Sequence, residues 1–211
     1  MLDLGEIAPT RSKLMELRAR LQLAREGHDL LDKKRHVLIG QILRTIADTE
    51  QVQKEMEERF RRAYETVEEA RAAMGTERVS RIALSSPRSV EMRITPHSIM
   101  GVLVPTVHYK VPERRPLYGF GDTSPILDQV RQEWLGVLDL LGEFAEKVTT
   151  VWRLALELRK TQRRVNALEN VFIPAYEAKV KYIEETLEEK EREDLFRMKR
   201  TKGKLSQGAG L

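Results

Sequence analysis

The sequence predicts a mainly α-helical chain: a long antiparallel two-helix coiled coil, or helical hairpin, with a short β-hairpin inserted at the end distal to the termini. Three observations carry that prediction. Leu127, Val130, Trp134, Val137, Leu141, Phe144, Val148, Val151, Ala155 and Leu158 follow one another at alternating three- and four-residue steps. Their mean period of 3.5 residues is that of a helix lying along a left-handed seam. A second run with the same period extends from Leu14 to Met74. Between the two runs, residues 76–124 hold five of the eight prolines, and β-branched stretches replace the heptads.

Composition sets the same limits. A third of the 211 residues (33%) are charged and only 6% are aromatic, which suits long solvated helices better than a large globular core. The chain has no Cys, so a disulfide framework and a thiolate metal site are both excluded. The opening MLDLGEIAPT carries two acids and no apolar run, so it does not read as a signal peptide. No segment approaches the roughly 20 apolar residues that span a bilayer. A net charge of +4 is small for a chain with 37 basic and 33 acidic residues, and alone argues for no nucleic-acid partner.

Residues 1–10 read as an extended lead-in through Pro9, with Thr10 placed to cap the helix that follows. The first helix is expected over 11–75. Its seam runs through Leu14, Leu17, Leu21, Ala24, His28, Leu31, Arg35, Leu38 and Ile42. After a phase slip it continues through Ile46, Thr49, Val52, Met56, Phe60, Ala63, Val67, Ala70 and Met74. Gly75 is a natural stop, because glycine takes the left-handed conformation at little cost. That helix would be about 95 Å long at 1.5 Å per residue.

Residues 76–124 are expected to form a β-hairpin and loops. Val90, Met92 and Ile94 alternate with polar residues as in a half-buried strand, and Val102, Val104, Val107 and Tyr109 suggest a second strand with Pro105 at an edge or bulge. A turn-rich return leads to Ser124–Pro125, an N-cap followed by proline at the first helical position. The second helix is expected over 125–200, about 110 Å long. Gln162 interrupts its run, and Val165, Leu168, Phe172, Tyr176, Val180, Ile183 and Leu187 continue it in a shifted phase. Residues 201–211 read as a flexible basic tail.

Helices this long need equally long partners. Their nearly equal lengths favour pairing within one chain over a parallel dimer, and a crude alignment sets Ile42 opposite the neighbourhood of Arg163. Around the second helix's first half, Leu138, Leu140, Ala145, Trp152 and Leu156 widen the apolar stripe beyond what two helices use. Either the β-insertion folds back there or another polypeptide docks. Pro174 lies inside a continuing helical pattern, where it removes a hydrogen bond and crowds the Asn170 carbonyl, so a kink or change of pitch is expected. Lys33, Lys34, Arg35, Arg163 and Arg164 suit solvated coiled-coil flanks.

Several motifs carry more identity than a periodicity does. These are PTR at Pro9–Arg11, GHDLLDKKRHVL at Gly27–Leu38, YGFGDTS at Tyr118–Ser124, RRVNALENVFIP at Arg163–Pro174 and EREDLFRMKRTKGK at Glu191–Lys204. With them the chain resembles the D subunit, the central rotor shaft, of the A-type and V-type rotary ATPases. The resemblance covers nearly the whole chain, least over 76–117. It implies that the terminal helix portions enter a hexamer of alternating catalytic and non-catalytic nucleotide-binding subunits, A and B. It also implies that the middle of the shaft holds the small F subunit of the stalk and rests on the funnel subunit above the membrane ring. On that basis Leu138, Leu140, Ala145, Trp152 and Leu156 become candidates for docking the F subunit. Lys33, Lys34, Arg35, Arg163, Arg164, Arg197 and Arg200 become candidates for touching the hexamer. The family transmits torque between hexamer and ring in a proton- or sodium-translocating machine, at the cytoplasmic side of a membrane and without inserting into it.

No catalytic, cofactor or metal residue is assigned. There is no GxxxxGK[ST] phosphate loop, and Gly119–Gly121 has no following Lys. His28, at a seam position, reads as a tolerated polar residue. The rival reading is a stand-alone helical-hairpin scaffold that offers its basic tail to nucleic acid. Glu191, Glu193 and Asp194 beside that tail oppose it, and no aromatics interleave the cations for base stacking.

Overall fold

A computed structural model describes residues 8–85, 91–110 and 123–208. Helix α1 spans Arg11–Met74, α2 Thr76–Ser85 and α3 Ile126–Ala167; a π-helical turn then occupies Leu168–Phe172, and α4 runs from Ile173 to Gly208. Strands β1 (Glu91–Ile99) and β2 (Val102–Lys110) form a two-stranded antiparallel ribbon. The architecture is therefore the expected helical hairpin with a β-insertion. Val90, the first seven residues, the return over 111–122 and the last three residues lie outside the described residues.

The ends of α1 form for local reasons. The Lys13 amide donates to Thr10 Oγ1 at 3.2 Å, so one otherwise orphaned donor of the first turn is satisfied as expected. At the other end Gly75, with φ +86°, stops the helix while its amide still bonds the Arg71 carbonyl at 2.9 Å. The chain then turns helical again. TERVSRIALS places Val79, Ile82 and Ala83 on one face, a short α2 where the sequence pattern suggests only hairpin and loops. At the far end α4 continues to Gly208, past the Arg200 boundary expected for it.

The chain divides into two compact units, Met1–His36 with Arg159–Leu211, and Val37–Leu158. In the first, the start of α1 pairs antiparallel with α4. Leu17, Val180 and Ile183 are buried together, with Leu14, Tyr176 and Leu187 packed around them. Three ion pairs flank this seam: Arg11–Glu191, Arg18–Glu184 and Arg25–Glu177, each at 2.6 Å. Both partners step by seven residues from rung to rung, in opposite directions. That is the heptad register of an antiparallel coiled coil, written in charges.

In the second unit, Leu38, Ile42 and Leu154 form the core, and Ile99 and Val102 from the tip of the β-ribbon pack against it with Leu158. Ile42 therefore meets Leu154, not the neighbourhood of Arg163 that the crude alignment set opposite it. Further along, Trp134 stands edge-on to Phe60 (centroids 5.9 Å apart) and to Tyr64 (5.3 Å). Such aromatic pairs add about 0.5–1.5 kcal/mol each beyond the area they bury.

The seam of α3 also differs from the expected one. Val137, Thr150, Leu154, Thr161 and Val165 are buried, whereas Leu141 is 43% exposed and Val148 also open. Two threonines hold seam positions that a search for large apolar residues passes over. The Thr150 hydroxyl donates to the Glu146 carbonyl at 2.8 Å, and Thr45 in α1 does the same to Gln41 at 2.9 Å, so neither buried hydroxyl is orphaned.

The ribbon is held by its edge. Glu146 accepts the Val107 amide at 2.8 Å, and Arg153, two turns along α3, donates to the Leu103 carbonyl at 2.7 Å. Pro96 faces Pro105 across the strands, so the missing amides cost no ladder bond. The expected half-buried alternation in β1 is not seen: Met92 and Ile94 are more than half exposed, because α3 holds the outer edge of β2 and only Ile99, at the tip of β1, packs against the core. The turn has positive φ at both Met100 (54°) and Gly101 (80°), as a two-residue type I′ hairpin requires.

Candidate partner-docking surfaces

The open apolar surface of the second unit comes from both helices. On α1, Ile39, Leu43 and Ile46 each follow a buried residue (Leu38, Ile42, Thr45), which rotates them by about 100° from the seam. On α3, Leu141, Val148 and Trp152 lie about 120–160° from Leu154 in the same rotational sense. Glu146 and Arg153, which hold the ribbon, lie on the opposite side of Leu154. Antiparallel helices are related by a two-fold axis perpendicular to the plane of the pair. Equal rotations from the seam therefore open on one side, and the two strips form one apolar face with the ribbon behind it. Leu43 is 62% exposed and Trp152 63%.

Of the residues that the sequence singles out for docking, Trp152, Leu156 and Ala145 are open, while Leu138 and Leu140 are half-buried. The ribbon folds back toward Leu154 and Leu158, and leaves Trp152 and Leu156 uncovered. Ile39, Leu43 and Ile46 are absent from the set that the sequence suggests for docking. The spacing sets Ile46 in the seam itself, but Thr45 is buried there and Ile46 is exposed, one position past the seam like Ile39 and Leu43.

The candidate cations divide by what they already hold. Arg35 is half-buried and engaged, with Asp32 at 2.5 Å and Gln162 at 3.4 Å. Lys34 also has a partner within the chain. Lys33, Arg163 and Arg164 are exposed and form no ion pair among the described residues. Arg197 reaches Glu193 at 3.5 Å one turn back, and Arg200 is exposed near the end of α4. Of the candidate cations, Lys33, Arg163, Arg164 and Arg200 thus stand without an ion pair among the described residues, while Arg35 and Arg197 are engaged. Pro174 falls just after the π-turn, where the Ile173 amide bonds the Leu168 carbonyl five residues back.

Among the described residues no group of three His, Asp or Glu side chains is placed to hold a metal ion. No described helix is long and apolar enough to cross a membrane. The hydrogen bond from Lys13, with the charges of Arg20 and Lys13, holds the Glu16 carboxyl below its ordinary pKa, although desolvation opposes them.

Known proteins resemble the chain over nearly its full length. The family model described as the ATP synthase D subunit matches residues 13–203. The D subunit of a V-type ATP synthase from Thermotoga neapolitana is 39% identical over 200 residues, covering 95% of this chain and 98% of that one. The D subunit of an A-type ATP synthase from Thermococcus gammatolerans is 38% identical with both chains covered in full, and its counterpart from Methanobrevibacter smithii is 38% identical over 92% of this chain and 85% of its own.

Proposed function

Because the chain belongs to the family of ATP synthase D subunits, we propose that it is the central-stalk rotor of an A- or V-type ATP synthase and transmits torque between a nucleotide-binding hexamer and a membrane rotor ring. The observation that carries this is the heptad-registered antiparallel pair with its three Arg–Glu rungs. Interlocked side chains on two helices resist relative twist better than one helix does, which is what a torque-bearing element needs. The chain supplies no catalytic group; ATP chemistry belongs to the A and B subunits.

The apolar face of Leu43, Leu141, Val148 and Trp152 supports a docked small F subunit, with α1 contributing as much as α3. Large apolar side chains left open side by side are what a partner-covered surface presents. The unpaired Lys33, Arg163 and Arg164 are the cations best placed for the hexamer, with Arg197 and Arg200 toward the chain end. The insertion end would rest on the funnel subunit, peripheral to the cytoplasmic face of the membrane, and the coupling ion would be a proton or sodium. No nucleic-acid role is assigned.

Co-expression with the A, B and F subunits tests this. The expected result is a stable complex containing all four, from which Leu43→Glu with Trp152→Glu loses the F subunit but not the hexamer. Recovery of only the free chain, with no partner bound, would refute the assignment.

A further inference from the structure

We propose that Gly27 of α1 and the π-turn of residues 168–172 form one matched hinge level, a built-in compliant section within the paired helices. Four observations meet there. First, the π-turn gives up the tight α spacing, and none of its five residues is buried. Pro174 follows at once and has no amide for the Asn170 carbonyl. Second, Gly27 sits in the interior of α1, where glycine is the least favourable residue apart from proline. Nothing lies within 4 Å of where its Cβ would be. Packing therefore does not demand a glycine; the position is soft without a steric reason.

Third, the two soft places face each other. Arg20, Leu23, Ala24 and Gly27 line one side of an open groove of about 320 Å³, and Leu168, Phe172 and Tyr176 line the other. The groove leaves the side chains that line it without a packing partner on its open side, so bending or twisting disturbs less packing there. Fourth, the charge ladder stops at this level. Continuing Arg11–Glu191, Arg18–Glu184 and Arg25–Glu177 by one heptad reaches Asp32 and Asn170, which cannot form the same pair. Each is engaged in its own helix instead: Asp32 with Arg35 at 2.5 Å and His36 at 3.4 Å, Asn170 with the Asn166 carbonyl at 3.0 Å. At this level the Arg–Glu rung is replaced by links within each helix, and the next contact across the pair is the longer one from Arg35 to Gln162 at 3.4 Å.

On the rotor-shaft reading, such a section takes up elastic twist between one power stroke and the next. The hinge itself is tested on the isolated full-length chain, so its failure would leave the family assignment standing. Hydrogen–deuterium exchange with peptide-level resolution is the measurement. Amides over 26–32 and 168–175 are expected to exchange faster than those over 14–24 and 178–187. Gly27→Ala is expected to slow opening about fivefold, the factor that the helix propensity difference implies, and to do so in 168–175 as well as in its own helix. Pro174→Ala, which returns an amide to the far helix, is expected to slow 26–32 in turn. Both substitutions favour helix, so loss of fold does not confound them. If each variant protects only its own helix, or if the two segments exchange no faster than their flanks in the unaltered chain, the matched hinge is refuted.

Discussion

Leu38 of α1 packs against Leu154 of α3, and both side chains are wholly removed from solvent. Leu154 is absent from the heptad run that the apolar residues of α3 trace, yet it is the most buried large side chain of that helix. Leu154→Ala is expected to destabilise the chain by about 2–5 kcal/mol, the usual cost of the lost transfer energy plus the cavity. Urea unfolding followed by circular dichroism reads this as a lower midpoint. An unchanged midpoint would remove Leu154 from the seam.

Leu141 gives the complementary test. A carboxylate there would be ruinous if Leu141 lined the seam, but at 43% exposure it meets water. Leu141→Asp is expected to shift stability by no more than about 0.5 kcal/mol while weakening capture of the F subunit. Collapse of the helical signal in this variant would restore the seam traced from the apolar residues alone.

The Arg–Glu ladder is expected to specify register more than stability. Arg18 and Glu184 are 60% and 37% exposed, so solvent screens their pair. A double-mutant cycle on Arg18→Ala and Glu184→Ala should give a coupling of no more than about 1 kcal/mol, shrinking as salt rises. A larger, salt-insensitive coupling would contradict the exposed geometry.

Met100 adopts the positive φ of 54° that the hairpin turn requires, unfavourable for an unbranched, bulky side chain, and at 45% exposure it gains little packing in return. Met100→Asn suits a type I′ turn and is expected to add about 0.5–1 kcal/mol. A fall in melting temperature would show that the Met100 side chain is held by contacts.

Glu16 sets a pH dependence of known sign. Its carboxyl is held below the ordinary value chiefly by the Lys13 hydrogen bond, so it stays ionised in the fold to lower pH than in the unfolded chain. The stabilisation is present above the unfolded pKa and fades as pH falls through the folded one. By NMR titration Lys13→Ala should raise the Glu16 pKa, and more than Arg20→Ala does; the reverse order would place the dominant contact on Arg20.

Much of the fold is legible in the sequence because long helices advertise themselves locally. The α1 seam at Leu17, Leu21, Leu38, Ile42, Val52, Ala63 and Ala70 is buried as its spacing predicts, and Thr10 and Gly75 mark its ends by chemistry that acts within a few residues. The docking face is half legible. Trp152 and Leu156 stand out on α3, while Leu43 does not, because an apolar residue beside a seam residue carries no sign of whether anything covers it.

The amino-acid order by itself determined where the helices start, that two of them are of matching length, and that an insertion separates them. Those properties depend on caps, prolines and a period, all set by near neighbours. Only the tertiary structure decided how α3 is rotated, that Ile42 meets Leu154, and that the charge ladder ends opposite the π-turn. Rotation and register follow from packing against a partner surface, here the β-ribbon on one side of α3, whose Glu146 and Arg153 contacts join residues about 40 to 50 positions apart in sequence. No window along α3 contains that partner, so no reading of α3 alone could place Thr150 and Leu154 inside and Leu141 outside.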